Sequence, residues 1–136
     1  MTTRATRWFS VALAAGVLYL LIGRFFPQPA DNLRAWRLGA YAASAVVFAM
    51  HLAYEQVRLR NAPRTMALHV AAAVAMGGAA LAIAGMLNSL SATGSVRPMW
   101  FVALVAWPAL TGIPAFLVAL AIGIVLTRGV ARTDAR

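Results

Sequence analysis

The sequence predicts an all-α, integral membrane four-helix bundle with both termini in the cytoplasm and a kinked or interrupted fourth span. Three observations predict it. Of the 136 residues, 62% are hydrophobic and only 11% are charged, whereas a soluble domain carries about 25% charged residues; the mean hydropathy is +0.78. The apolar residues fall into four runs, separated by breaks rich in Pro, Arg or Ser and Gly. Arginines punctuate the ends of those runs. A second domain would need a second apolar cluster and a linker, and neither is visible, so one domain over residues 1–136 is expected.

The first span is read at about residues 8–26, WFSVALAAGVLYLLIGRFF. At roughly 1.5 Å per residue it comes close to the roughly 30 Å of a hydrocarbon core. Arg4 and Arg7 before it also suit a signal peptide, but no small-x-small cleavage site follows, so an uncleaved anchor is expected. Arg24 reaches the far interface by extending its stem along the helix. Pro27 and Pro29 end the helix, because the residue before each proline is pushed out of the α region. The second span, about 36–57, opens with Asp31 and Asn32 as N-caps and Trp36 as an interfacial anchor. A tight basic turn through Arg58, Arg60, Asn61, Pro63 and Arg64 leads into a third span at about 65–87. That span ends in a Ser/Gly/Asn-rich loop, Asn88 to Ser95.

The last apolar run, Pro98 to Thr127, would measure roughly 45 Å as one helix, too long for a simple crossing. Counting back from Arg128 places the fourth span at about 108–127, with Pro108 and Pro114 as kink points, since a proline lacks the N–H and crowds the preceding turn. Residues 98–107 then form an interfacial or re-entrant piece anchored by Trp100 and Trp107. The alternative is one long tilted helix kinked at its prolines.

The formal charge of +9 comes from twelve Arg against Asp31, Glu55 and Asp134, with no Lys. Nucleic-acid binding is not expected, because these arginines mark the ends of apolar runs rather than forming one basic face. Attraction to anionic lipid headgroups accounts for them. Four spans gather Arg4, Arg7, Arg58, Arg60, Arg64, Arg128, Arg132 and Arg136 on one side and leave Arg24, Arg34, Arg37 and Arg97 on the other. The positive-inside rule therefore places both termini in the cytoplasm of a cell (inner or plasma) membrane.

Association of helices in lipid leans on close packing through small residues. Ala71, Gly78 and Gly85 repeat every seven residues on the third span, with Ala75 and Ala82 beside them, and this stripe is expected to carry another helix. Ala115, Ala119 and Gly123 make a similar row on the fourth span, and Gly39 with Ala43 a shorter one on the second. Core packing is the reading of these rows, with homodimerisation as the sharper alternative.

Chemistry-bearing side chains concentrate on the second and third spans. Arg37, Ser44, His51 and Arg58 recur at seven-residue intervals, and Glu55 lies one turn beyond His51. Such a stripe is costly against lipid and should face the bundle interior. Counted from the basic turn, Glu55 lies about 5 Å deep, His69 about 8 Å and His51 about 10 Å, so the three form one layer if their helices turn them toward each other.

Four roles compete for that layer. First is a structural lock, in which Glu55 bonds His51 or His69 and pairs with Arg58 or Arg64. Next is a proton or cation relay involving His51, Glu55, His69 and Ser44. Third is a metal site made by His51, Glu55 and His69, which has the minimal ligand count and two repelling arginines nearby. Last is haem between His51 and His69, for which helices packed through small residues leave little room.

With no Cys, thiolate zinc sites, iron–sulfur clusters and thiol nucleophiles are excluded. No GxSxG, GxxxxGK[ST] or strand-flanked GxGxxG occurs, and Ser44 with His51 is a poor nucleophile–base pair at about 10 Å along one face. The four-span size resembles that of small multidrug-type exporters, but their carboxylate-bearing first span has no counterpart here. No enzymatic activity and no cofactor are expected. The expected role is that of a small structural or interaction protein, packing as a homo-oligomer or within a larger membrane complex. The alternatives are a proton-linked small-solute or cation transporter, then a metal- or haem-binding membrane protein.

Overall fold

The structure, a computed structural model, describes residues 4–27 and 29–133. Gln28, Asp134 and Arg136 lie outside the described residues, as do the side chains of Arg4 and Arg132. The described chain is helical with no strand: α1 is Arg4–Phe25, α2 Leu33–Tyr54, α3 Pro63–Thr93 and α4 Met99–Thr133. A π-helical turn, Glu55–Leu59, extends α2. Three helices are long and apolar enough to cross a membrane, over Thr6–Phe25, Pro63–Thr93 and Met99–Arg128. The 22-residue α2 has the length, but Arg34, Arg37 and His51 dilute its apolar stretch.

α3 is the centre of the assembly. α4 lies along it most extensively and α1 next, whereas α2 packs mainly on α1 and meets α3 sparsely. The register follows from where side chains are excluded. A Cβ on Gly16 of α1 would meet Ala73 O at 3.2 Å, and one on Gly77 of α3 would meet Tyr19 Cβ at 2.6 Å. Gly23 of α1 likewise faces Leu81. Residue numbers rise together along this pair, so α1 and α3 are parallel.

Against α4 the numbers run oppositely: Gly123 faces Met66 and Pro63, Gly112 faces Ala75, Gly78 faces Thr111 and Trp107, and Gly85 faces the Trp100 ring. The adjacent pair Gly77 and Gly78 thus serves two neighbours. Gly77 admits α1, and Gly78 brings the α3 backbone to the Trp107 carbonyl, which a Cβ there would meet at 3.2 Å. Ala71, Ala75, Gly78 and Gly85 all belong to the α4 side of α3. Ala119 and Ala115 are buried, 0% and 9% exposed. Gly39 of α2 packs against the Phe26 ring instead of another small residue.

Several element ends differ from the sequence expectation. The Asn88–Ser95 segment is not a loop: α3 continues to Thr93. Thr93 donates its hydroxyl to Ser89 O at 2.8 Å and Ser91 donates to Asn88 O at 3.1 Å, so polar side chains satisfy backbone carbonyls within the helix. Gly94 then stops it in the left-handed region, at φ 69°. The fourth helix is not interrupted either. Residues 99–107 belong to one helix running to Thr133, with Pro108 and Pro114 inside it. Each proline removes one backbone bond, while Thr111 donates its hydroxyl to Trp107 O at 2.8 Å in the same turn, and the long seam with α3 keeps the segment helical. Asn32 does occupy the N-cap position of α2, but its side chain makes no capping bond.

Candidate functional site

The turn between α2 and α3 builds the polar centre. Glu55 starts the π-helical turn, whose wider winding brings the Arg60 N–H onto the Glu55 carbonyl. Arg60 itself takes φ 49° and ψ 42°, a left-handed conformation uncommon for a residue with a Cβ. That reversal swings Asn61 back toward Glu55. Ala62, with ψ 149°, is held extended by the following proline, and Pro63 sits in the first turn of α3, where its missing N–H costs nothing.

Glu55 is completely buried, 0% exposed. Its carboxylate accepts from Asn61 Nδ2 at 2.6 Å through Oε2. His69 Nδ1 lies 3.0 Å from Oε1 and 3.1 Å from Oε2. An ionised carboxylate is acceptor-only, so the His69 proton belongs on Nδ1, which donates to both oxygens. Asn61 Nδ2 and His69 Nδ1 are 3.5 Å apart; both are then donors, and the approach reflects their shared acceptor.

His51, one turn before Glu55 and 3% exposed, brings Nε2 to 3.7 Å from Oε1. That is beyond hydrogen-bond length, and neither ring nitrogen of His51 has a hydrogen-bond partner among the described residues. The fifth participant comes from α1: the Trp8 indole stacks on the His69 imidazole, centroids 4.2 Å apart and planes 6° from parallel.

The structure therefore brings His51, Glu55 and His69 together and leaves the other singled-out residues apart. Among the described residues the basic side chains drawn close to the Glu55 carboxylate are His51 and His69, not Arg58 or Arg64. Both arginines are exposed, because the turn that buries Glu55 points them away from the core. Arg37 is exposed at the other end of α2, and Ser44 lines an apolar cavity between the helices. Asn61 and Trp8 are the members that sequence reasoning missed. Asn61 depends on the left-handed Arg60, and Trp8 on the parallel register of α1 and α3; no local pattern signals either.

Among the described residues no group of three or more His, Cys, Asp or Glu is arranged to hold a metal ion. His69 Nδ1 is already directed at both carboxylate oxygens. The haem geometry fails for a related reason. Both imidazoles approach the same Glu55 oxygen, which puts the carboxylate where a porphyrin would have to lie.

Comparison of the chain with known protein families, with curated proteins and with solved structures gave no match.

Proposed function

We propose that this chain is a small multi-pass integral membrane protein with a structural or interaction role, in which Glu55 is the lock that fastens its helices. The observation that carries this reading is the Glu55 carboxylate, fully buried and bonded to the turn through Asn61 and to α3 through His69, on which Trp8 of α1 stacks. One carboxylate thereby joins α2, α3 and, through the stacked ring, α1. Unpaired buried polar groups are costly, so once these partners are in place few other arrangements of the three helices are accessible.

In this reading α2 is a fourth crossing, antiparallel to α1, and both termini are cytoplasmic, following the eight-to-four division of Arg. The protein resides in a cell membrane with anionic headgroups and packs as a homo-oligomer or within a larger membrane complex. It carries out no reaction and binds no nucleic acid. Because the chain has no native Cys, sidedness is testable with single cysteines. Arg60→Cys should react with an impermeant thiol reagent only from the cytoplasmic face, and Ser91→Cys only from the opposite face.

A second reading, proton-linked transport of a small solute or cation, draws on His51, which is buried beside Glu55 with unpartnered ring nitrogens. Glu55→Gln separates the two. A lock loses about 1.5–3 kcal/mol of stability, the scale of hydrogen bonds to a charged acceptor, with no change in proton flux across proteoliposomes under an imposed pH gradient. A carrier loses the flux. Unchanged melting would refute the lock.

A further inference from the structure

α2 and α4 barely touch, and between them the four helices leave a cavity of about 540 Å³. This falls within the roughly 300–1,000 Å³ of sites that hold small organic ligands. Its floor is Val74, Gly77 and Gly78 of α3, where side chains are small because neighbouring helices approach closely. Tyr41, Ser44 and Phe48 of α2 form one wall, and Trp107 and Pro114 of α4 the other. Among the described residues no charged side chain lines it. The Thr111 hydroxyl is already committed to Trp107 O.

Length narrows the class of occupant. The lining runs from Ala40 to Phe48 on α2 and from Trp107 to Val118 on α4, about 12 and 17 Å at roughly 1.5 Å per residue. A partner helix would need a seam along much of a roughly 30 Å crossing, whereas a single hydrocarbon chain needs no more than this. At the Phe48 end the groove is stopped by packed Leu52, Met66, Val70 and Ala119. At the other end Arg37 lies three and four residues before the lining residues Ala40 and Tyr41, on the same face of α2 and one turn beyond them. That end also carries Arg24, Arg34 and Arg97, against Asp31 as the acidic side chain there among the described residues.

We infer that the groove between α2 and α4 binds one acyl chain of an anionic phospholipid, with the headgroup phosphate held at Arg37. The tail fills the space that α2 and α4 leave open between their closed end and Arg37, and the arginine selects the charge of the head. The site rests on the membrane reading above, and the two can fail separately. A chain absent from the membrane fraction would refute both, whereas a membrane-embedded chain without the lipid behaviour below would refute the groove alone.

The test is native mass spectrometry of the full chain released from nanodiscs containing equal phosphatidylglycerol and phosphatidylcholine. Wild type should retain one phospholipid per chain after partial delipidation, favouring phosphatidylglycerol about fivefold, the worth of one cation beside an anionic headgroup. Arg37→Gln should keep the lipid but lose that preference. Ser44→Trp, which fills the middle of the groove, should lose the lipid. Ala40→Phe, filling its Arg37 end, should do the same and keeps the test valid if the tryptophan disturbs folding. Equal retention by wild type and both filled variants, meaning surrounding lipid only, would overturn the inference. So would a retained free fatty acid or a second protein chain in place of the phospholipid.

Discussion

α4 and α2 are joined to the rest of the molecule in opposite ways. α4 meets α3 along a seam of small residues, from Gly123 beside Pro63 to Trp100 beside Gly85, where backbones approach closely. α2 meets α3 sparsely, and beside α4 it leaves a cavity. Its firm attachment to α3 lies at one end, where Glu55 accepts from Asn61 and His69. In the membrane reading proposed above, the difference follows from what drives association in lipid. Apolar surface gains little by leaving hydrocarbon, so a helix is held either by close packing through small residues or by polar bonds that lipid cannot replace.

The strongest way to break the comparison is to release the polar end. His69→Leu leaves a buried carboxylate without its histidine donor and should cost about 3 kcal/mol, read as thermal unfolding in detergent. A disulfide between cysteines placed on α2 and α3 should also form less readily in that variant. An unchanged melting curve would show that Asn61 alone suffices.

The seam with α4 is challenged next. Gly78→Leu has no room, because its Cβ would fall 2.8 Å from Thr111 Oγ1, and it should cost about 2 kcal/mol. Ala42→Leu on exposed α2 should stay within about 0.5 kcal/mol. Equal effects from the two leucines would remove the contrast between the helices. The smallest effect has the opposite sign. Arg60→Gly relieves the left-handed backbone at the turn and should stabilise by about 0.5–1 kcal/mol, measured in the same unfolding experiment; a loss of stability would mean the arginine side chain contributes more than its backbone costs.

Much of the helical architecture was legible because hydropathy and proline placement are local. Pro27 and Pro29 mark the end of α1, and Pro63 the start of α3, without reference to any neighbour. Element ends were less legible where side chains bond back to their own helix. α3 continues through a segment whose composition reads as a loop, its Ser91 and Thr93 hydroxyls bonded back to the helix's own carbonyls, and α4 passes through Pro108 because a packed helix tolerates one missing bond. At the polar centre, depth counting brings His51, Glu55 and His69 to one level. It says nothing of rotation about the helix axes, which is why Arg58 and Arg64 look like partners in the sequence and lie outside in the structure.

By itself the sequence determined an all-helical chain with apolar segments long enough to cross a membrane, because length and hydropathy are sums over neighbouring residues. It also determined the small-residue rows on α3 and α4, because helical periodicity fixes which residues share a face. Tertiary structure alone decided which neighbour each row receives, that Gly77 and Gly78 serve different helices, and that α2 is tied at one end beside an apolar groove. Those outcomes depend on the relative rotation and register of whole helices. The left-handed Arg60 and the parallel alignment that stacks Trp8 on His69 set both at the polar centre.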